Sequence, residues 1–466
     1  MIVFISDLHL GDKPDDGLEP SDRADDLEPS DRADGFNLSH RAVDVLHRQV
    51  KELVDDSEET CLKLVLLGDI FDMTHTDFWL DVDQTPWDGD RGLTHVPRLL
   101  DKIIDDNSEF LGKLRDTKEH VPGLECFEIV YVPGNHDRLC NLLPETRQRI
   151  RECFRIGLTD ADGNYSDDAF EWEYTETDHR VYAYHGCQLD EFNWRPPIGS
   201  DQPESPPGDA LTAMLLSRIP GDVYDVLLRD GVDDDCAAGV RDNLKVIFDV
   251  RPVRAILPFI FREIDAHAKT PETFRGVLEG ISVSLGKFRA MPFVRRSCRR
   301  VWKLRLLLAF LSLVVNVPWM PALNAAMFVL WPIIKCFRGR SIDDYLDEAS
   351  DHVKPSDGDR IDYVVAGHTH EPVQRAVHVD RGERADDDPK RKAKIRECIY
   401  LNTGTWRPRY EGAHNYNGFI AMKGLSHVVI YSPLARTEDM TRTVETWTGM
   451  LKDDDVKRGD APHGAS

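Results

Sequence analysis

Closely spaced cysteine pairs are missing from this chain. Its nine cysteines are an odd number, lie far apart and include no Cys-x-x-Cys spacing. That pattern argues against a disulfide framework and predicts reduced, mostly buried thiols of a cytosolic protein. Positive charge is scarce as well: 58 Lys and Arg stand against 83 Asp and Glu, for a net charge of -25 and a pI near 5.1. Lysine is the rarer cation, 18 against 40 arginines. This balance predicts a halophilic protein, adapted to salt that screens its self-repulsion; an ordinary acidic cytosolic protein is the duller alternative. A field this negative repels polyanions and, unless salt is high, argues against nucleic acid as a partner. No charged n-region followed by an apolar h-region precedes the first strand-like run, so no signal peptide is expected.

What the chain does have is a set of five short polar motifs, each directly after an apolar run. Asp7-Leu8-His9 follows Ile2 to Ile5, Gly68-Asp69 follows Leu64 to Leu67, and Gly134-Asn135-His136-Asp137 follows Ile129 to Val132. His185-Gly186 follows Val181 to Tyr184, and Gly367-His368-Thr369-His370 follows Tyr363 to Ala366. Short apolar runs ending in Gly or polar residues are buried strands reaching their carboxyl ends. Ligands and catalytic groups gather at such ends in layered α/β folds. Any one motif is common; five in this order are not.

The motifs share one chemistry. Asp, Asn and His offer oxygen and imidazole ligands without a thiolate, which suits Mn²⁺, Fe²⁺ or Zn²⁺ with open positions and disfavours a closed structural zinc site. Asp7, His9, Asp69, Asn135, His185, His368 and His370 are too many for one ion and about right for two that share a bridging carboxylate. Two ions roughly 4 Å apart clamp an in-line displacement at phosphorus and activate a water between them. His136 is then left as a candidate general acid, and Asp137 as a residue that could orient or charge-tune an imidazole.

In this respect the chain resembles the calcineurin-like metallophosphoesterases, whose pattern is D-x-H, G-D, G-N-H-D/E, H and G-H-x-H. The resemblance covers the motif blocks and the strands before them. It implies Asp7, His9 and His370 at one metal, Asn135, His185 and His368 at the other, Asp69 bridging, and His136 near the scissile phosphate. It also implies an α/β fold, a four-layer α/β/β/α sandwich. Two divalent ions, Mn²⁺ foremost with Fe²⁺ or Zn²⁺ as alternatives, are the cofactors expected. Asp72, just past the second motif, is a candidate to touch substrate or to hold a ligand, with an exposed loop acid as the alternative.

The length fits a core plus a large insertion. Residues 1-189 and 351-450 form the expected core, 190-350 a helical cap, and 451-466 a disordered tail. Gly17 to Asp34 is a tandem nonapeptide, GLEPSDRAD then DLEPSDRAD, read as a solvated loop. Amphipathic helices are expected over His40 to Asp55 and Leu93 to Leu114, and a hairpin over Phe170 to Tyr174 and Arg180 to Tyr184. Helical patterns fill the cap at Ala210-Leu216, Asp222-Leu228, Ala237-Ile247 and Pro252-Ala268. Strands near Glu397-Leu401 and Phe419-Lys423 close the core. Trp79 and Trp87 are candidate cleft-lining residues.

Within the cap, Leu306 to Ile334 is uncharged over 29 positions, with basic residues crowding both ends. Val317-Pro318-Trp319-Met320-Pro321 divides it into halves of about 12 residues, roughly 18 Å as helix, too short to cross a ~30 Å hydrocarbon core. Basic flanks on both sides also speak against a single crossing. A hairpin dipping into one leaflet through residues 295-340 is the expectation, with a hairpin buried in the cap as the alternative. The position and character of this segment are similar to those of the insertion in bacterial UDP-diacylglucosamine pyrophosphatases of the same family, although His136 matches the general phosphoesterase pattern better. The expected protein is thus a cytoplasmic hydrolase, peripheral on the inner membrane face, acting on a lipid-linked or amphipathic phosphate ester or pyrophosphate. The alternative is a soluble nucleotide or protein phosphatase whose insertion is only a lid; a nuclease is disfavoured by charge.

Overall fold

The computed structural model describes residues 1–12, 38, 40–57, 59–88, 90–160, 163–195, 205–251, 255–256, 259–260, 270–315, 361–380, 395–412, 418–422, 424–432 and 443–450. The nonapeptide tandem, most of Pro252-Ala268, the second half of the apolar segment and the C-terminal tail lie outside this range.

The architecture is α/β with mixed sheets. Its strands are β1 (Ile2–Ile5), β2 (Cys61–Leu67), β3 (Cys126–Val132), β4 (Glu173–Glu176), β5 (Val181–Tyr184), β6 (Val250–Arg251) and β7 (Tyr363–Ala366). The series continues with β8 (Val373–Asp380), β9 (Ile395–Asn402), β10 (Arg409–Gly412), β11 (Phe419–Met422), β12 (Gly424–Ile430) and β13 (Val444–Met450). One five-stranded sheet runs β13-β12-β1-β2-β3 and a second runs β4-β5-β7-β9-β8. All five strands that precede the motifs form as expected. β1, β2 and β3 pair in parallel, as do β5 and β7, so their polar carboxyl ends share one edge within each sheet.

Alternation along the strands builds the layers. Ile2, Phe4, Val65, Leu67, Val132, Val428 and Ile430 of the first sheet pack with Val181, Ala183, Tyr363, Val365 and Leu401 of the second, so the sheets stack face to face. The other face of the first sheet, with Val3, Ile5, Leu64, Leu66 and Ile129, packs on helices. These are α1 (Arg41–Ser57), α2 (Val96–Asp106), α3 (Ser108–Arg115) and α4 (Pro144–Phe154). In α1 the buried apolar residues Ala42, Val43, Leu46, Val50, Leu53 and Val54 fall on one helical stripe. With both faces covered, the strands read as continuous apolar runs.

Three sequence expectations change. The single helix over Leu93 to Leu114 is broken at Asn107, whose side-chain amide donates to Gly11 O (2.9 Å) and Ile103 O (2.8 Å) and so competes with the helical ladder. Strands β8, β12 and β13 had no counterpart in the sequence reading, yet β12 pairs directly with β1. Finally, the thiols are not all reduced. Cys61 and Cys126 are register partners at the starts of β2 and β3, with Cα atoms 4.6 Å apart, and are joined as a disulfide. The remaining described cysteines are free.

The described part of the cap is helical: a turn at Pro207–Ala210 and Leu211–Leu216, then α5 (Arg218–Arg229), α6 (Asp234–Lys245), α7 (Pro271–Ala290), α8 (Pro292–Arg300) and α9 (Trp302–Val314). It is stitched to the core through β6, which pairs in parallel with β10, Val250 opposite Tyr410 and Arg251 opposite Glu411. Among the described residues no helix is long and apolar enough to cross a membrane.

Candidate metal centre

The loops leaving the strands carry unusual backbone. Asp7, His9, Asp69, His368 and His370 all adopt left-handed φ, between 48° and 67°. Asp and His tolerate this region better than most, but each such residue still costs about 1–3 kcal/mol and persists only where its surroundings hold it. The surroundings here are backbone clamps. Asp7 N–H donates to Gly68 O (3.0 Å), His9 N–H to Asp69 O (2.9 Å), Met73 N–H to His136 O (3.2 Å) and Gly367 N–H to His185 O (2.8 Å). The motif glycines permit the approach: a Cβ at Gly134 would overlap Asp69 Oδ1, and one at Gly367 would overlap Ser6 Oγ and Asp7 Oδ2.

These clamps bring together groups that could hold metal. Asp7, His9 and His370 form one trio, Asp69, His185 and His368 another, and His9, Asp72, His75 and His136 a further group, each with ligand atoms within 4.8 Å of one another. His370 Nε2 lies 3.2 Å from Asp7 Oδ1 and 3.1 Å from His9 Nε2. Asp69 joins the trios: its Oδ2 is 3.0 Å from His185 Nε2 and 3.9 Å from His9 Nε2, while its Oδ1 accepts from His136 N–H at 2.8 Å.

The donor set passes a direct test of fit. His185 Nδ1 faces Leu67 O at 2.9 Å, which leaves the Nε2 lone pair aimed at Asp69; His9 Nδ1 likewise faces Asp72 Oδ2 at 3.0 Å, which frees its Nε2. Asn135 Oδ1 is buried and makes no hydrogen bond, while Asp7 Oδ1 and His185 Nε2 are faced only by groups of the trios, His370 and Asp69. A buried acceptor left unsatisfied demands an explanation, and a cation supplies one. Oxygen and imidazole donors without thiolate suit Mn²⁺, Fe²⁺ or Zn²⁺.

Charge balance points the same way. Burial alone would raise the Asp7 carboxyl, but His185, His370 and His9 hold it well below the usual carboxylate range, and Asp69 is lowered by His185, His136 and His9 in the same manner. Burial alone would lower His9, yet Asp7, Asp72 and Asp69 push it up to about 9; His185, beside Asp69, rises to about 10. Without metal these imidazoles are protonated at pH 8. Their contribution to the metal-free fold is complete below the unfolded value near 6.5 and is lost as pH climbs through 9 to 10. A cation needs the same lone pairs, so metal binding must expel protons and weaken as pH falls. Titration of the metal-free chain with Mn²⁺ at pH 8 should release about two protons, one each from His9 and His185. Calorimetry in two buffers of different ionisation enthalpy reads this directly; a heat independent of buffer would refute it.

Behind the trios lies a layer that sequence reasoning misplaced or missed. Asp72, expected to touch substrate or hold a ligand, is fully buried and is not an exposed loop acid. Its Oδ2 meets His9 Nδ1, His75 Nδ1 and Arg407 Nη1 (3.3 Å); its Oδ1 meets His136 Nδ1 at 2.9 Å and accepts from His75 N–H and Thr74 N–H. The role this geometry gives it is orientation of imidazoles. Asp137, expected to orient an imidazole, instead accepts from Gly134 N–H (2.5 Å) and Ile70 N–H (2.9 Å) and pins the second and third loops together. His136 keeps part of its ring exposed at the rim, with Nδ1 held by Asp72 and by Thr74 Oγ (2.7 Å). His75, Arg407, Asp249 and Asp190 were not foreseen; Asp190 Oδ2 lies 3.5 Å from His368 Nε2. A signal did exist for Arg407. Thr403-Gly404-Thr405 follows the apolar end of β9 just as the motifs follow their strands. Trp79 and Trp87 do not line the cleft but pack edge-to-face, 5.7 Å apart and almost fully buried.

No family model matches this chain, and no curated protein matches it. The mixed α/β sheets and the buried His/Asp clusters able to bind metal are compatible with a metallophosphoesterase.

Proposed function

We propose that the chain is a calcineurin-like metallophosphoesterase that hydrolyses phosphate ester or pyrophosphate bonds with two divalent ions, Mn²⁺ foremost. The observation that carries this reading is Asp69, which faces one histidine of each trio. Asp7, His9 and His370 would hold one ion, Asn135, His185 and His368 the other, with Asp69 between. Ions bound there supply Lewis acidity towards a phosphoryl oxygen and lower the pKa of water. The side chains do the rest. The left-handed loops hold the ligand atoms in place before substrate arrives, and Asp72 fixes the tautomer of His9. With Nδ1 occupied by Asp72 and Thr74, His136 can deliver a proton only from Nε2. The stacked sheets are read as the inner pair of an α/β/β/α sandwich, with α1 to α4 as one outer layer.

The proposed substrate class is supported by α8 and α9. Trp302, Leu306 and Leu313 are exposed at helical spacing on one face of α9, while α8 exposes Arg295, Arg296, Arg299 and Arg300. An apolar stripe beside a cationic cluster, in a chain of net charge -25, suits an anionic membrane surface. The stripe begins near the site: Lys303 pairs with Glu191, the chain neighbour of Asp190, which faces His368. A lipid-linked or amphipathic phosphate ester is therefore the proposed substrate. Two arms test it at high salt. The Mn²⁺-loaded chain should turn over phosphate esters and lose activity to a chelator; no turnover across a broad ester and pyrophosphate panel would end the reaction-class reading. It should sediment with anionic vesicles, and Trp302→Glu with Leu306→Glu should release it; a wild-type chain left in the supernatant would end the membrane reading alone.

A further inference from the structure

The insertion reaches the centre at two buried ion pairs. Arg138, two residues past His136, donates to Asp209 (2.8 Å) and Ser205 (2.9 Å), both in the first segment of the cap. On the other side, Asp249 ends the helical turn before β6 and pairs through Oδ1 with Arg407 Nε. The same guanidinium places Nη1 3.3 Å from Asp72 Oδ2. Asp249, Arg407 and Asp72 are all at most 5% exposed, so these charges meet with little screening by solvent. The backbone supports the contact, because β6 pairs with β10 just beyond Arg407. Phe248, next to Asp249, lays its ring on His75, centroids 4.2 Å apart.

We propose that the cap is a positioning element of the centre and not a detachable lid, with Asp249 acting through Arg407 on Asp72 and hence on His9 and His136. This deepens the hydrolase reading and rests on it for its kinetic arm. One oxygen carries the coupling. Asp72 Oδ2 is shared by His9 Nδ1, His75 Nδ1 and Arg407. Arg407 divides its charge between two carboxylates. With Asp249 neutralised, the guanidinium turns wholly to Asp72 and competes with His9 for Oδ2. His9 then loses the partner that aims its Nε2 into the first trio, and rotation of the carboxylate draws Oδ1 from His136. Outer-sphere partners of metal-bound histidines cost about 10–100-fold in affinity or activity when removed, and the same range applies here.

The test uses the full chain. Asp249→Asn should weaken Mn²⁺ affinity by about 10-fold or more in calorimetry, a readout that does not depend on any assigned reaction. In turnover, kcat at saturating Mn²⁺ should fall by about 10-fold, more for alkyl than for nitrophenyl esters, with KM little changed. Arg407→Lys, which keeps the charge but can serve only one carboxylate, should give the same pattern, and the double variant should lose no more than either single one. Asp222→Asn is the control. Asp222 is buried inside the cap, bound by Ser284 (2.8 Å) and Lys287 (2.6 Å), and takes part in neither ion pair that reaches the centre. It should lower the melting temperature while leaving kcat and Mn²⁺ affinity unchanged. The proposal is overturned if folded Asp249→Asn binds Mn²⁺ and turns over within two-fold of wild type, or if Asp222→Asn reproduces its losses. Should Asp249→Asn fail to fold, Arg407→Lys carries the same two criteria. Failure of the hydrolase reading would show separately, as a wild-type chain without turnover.

Discussion

Asp69→Asn is expected to disable both halves of the centre at once. The substitution is nearly isosteric, and the Asn oxygen can still accept from His136 N–H, which lies 2.8 Å from Asp69 Oδ1. The other atom is the problem. In place of Oδ2, 3.0 Å from His185 Nε2 and 3.9 Å from His9 Nε2, there would be an amide donor and no charge. A neutral donor cannot share a cation, and it would occupy the lone pairs that a cation needs. His185 would also lose the carboxylate that raises it, so the proton expelled on metal binding should disappear with the affinity. Metal affinity should fall by more than about 100-fold. Turnover should fall on the order of 10³-fold, equivalent to about 4 kcal/mol of transition-state stabilisation. Elemental analysis, buffer-dependent calorimetry and circular dichroism separate this from unfolding. A variant that keeps two ions per chain and a tenth of wild-type turnover would remove Asp69 from the centre of the mechanism.

The parts of this arrangement legible in the sequence were those written locally. A buried parallel strand is an apolar run, and its carboxyl end is marked by Gly and by residues that tolerate left-handed φ. Hence Asp7, His9, Asp69, His185, His368 and His370 could be named from the chain alone, and they do meet in space. The layer behind them was not legible. Asp72 meets His9 across 63 residues and Arg407 across 335, and neither contact leaves a local periodicity. Position next to His136 in the chain made Asp137 the natural partner, yet the turn points its carboxylate at two backbone amides and leaves the imidazole to Asp72. The disulfide escaped for a similar reason. Cys61 and Cys126 are 65 residues apart, and only strand register sets them side by side. Of the apolar segment only the first part, in α9 up to Val314, belongs to the described residues, among which no helix is long and apolar enough to cross a membrane; residues 316–334 lie outside them.

His136→Gln should separate proton delivery from metal binding. His136 lies outside the two trios assigned to the ions, although it also stands with His9, Asp72 and His75 in a group able to hold metal; on the two-ion reading its loss should leave metal content unchanged. Gln can still donate to Asp72, which keeps the rim packed, but it has no proton to give. General acid catalysis contributes about 10²–10⁴-fold, and the loss should fall in that range for an alkyl ester, whose leaving group departs poorly as an anion. A nitrophenyl ester, which needs no proton to leave, should lose less than about 10-fold by the same reasoning. The dependence of rate on leaving-group basicity should therefore steepen. Asp72→Asn offers the complementary case: it disturbs His136 and His9 together, so it should show the steeper leaving-group dependence and a weakened metal trio at once. Equal losses for alkyl and nitrophenyl esters in His136→Gln would mean that His136 binds the phosphoryl group and delivers no proton. The acid would then have to be sought elsewhere at the rim.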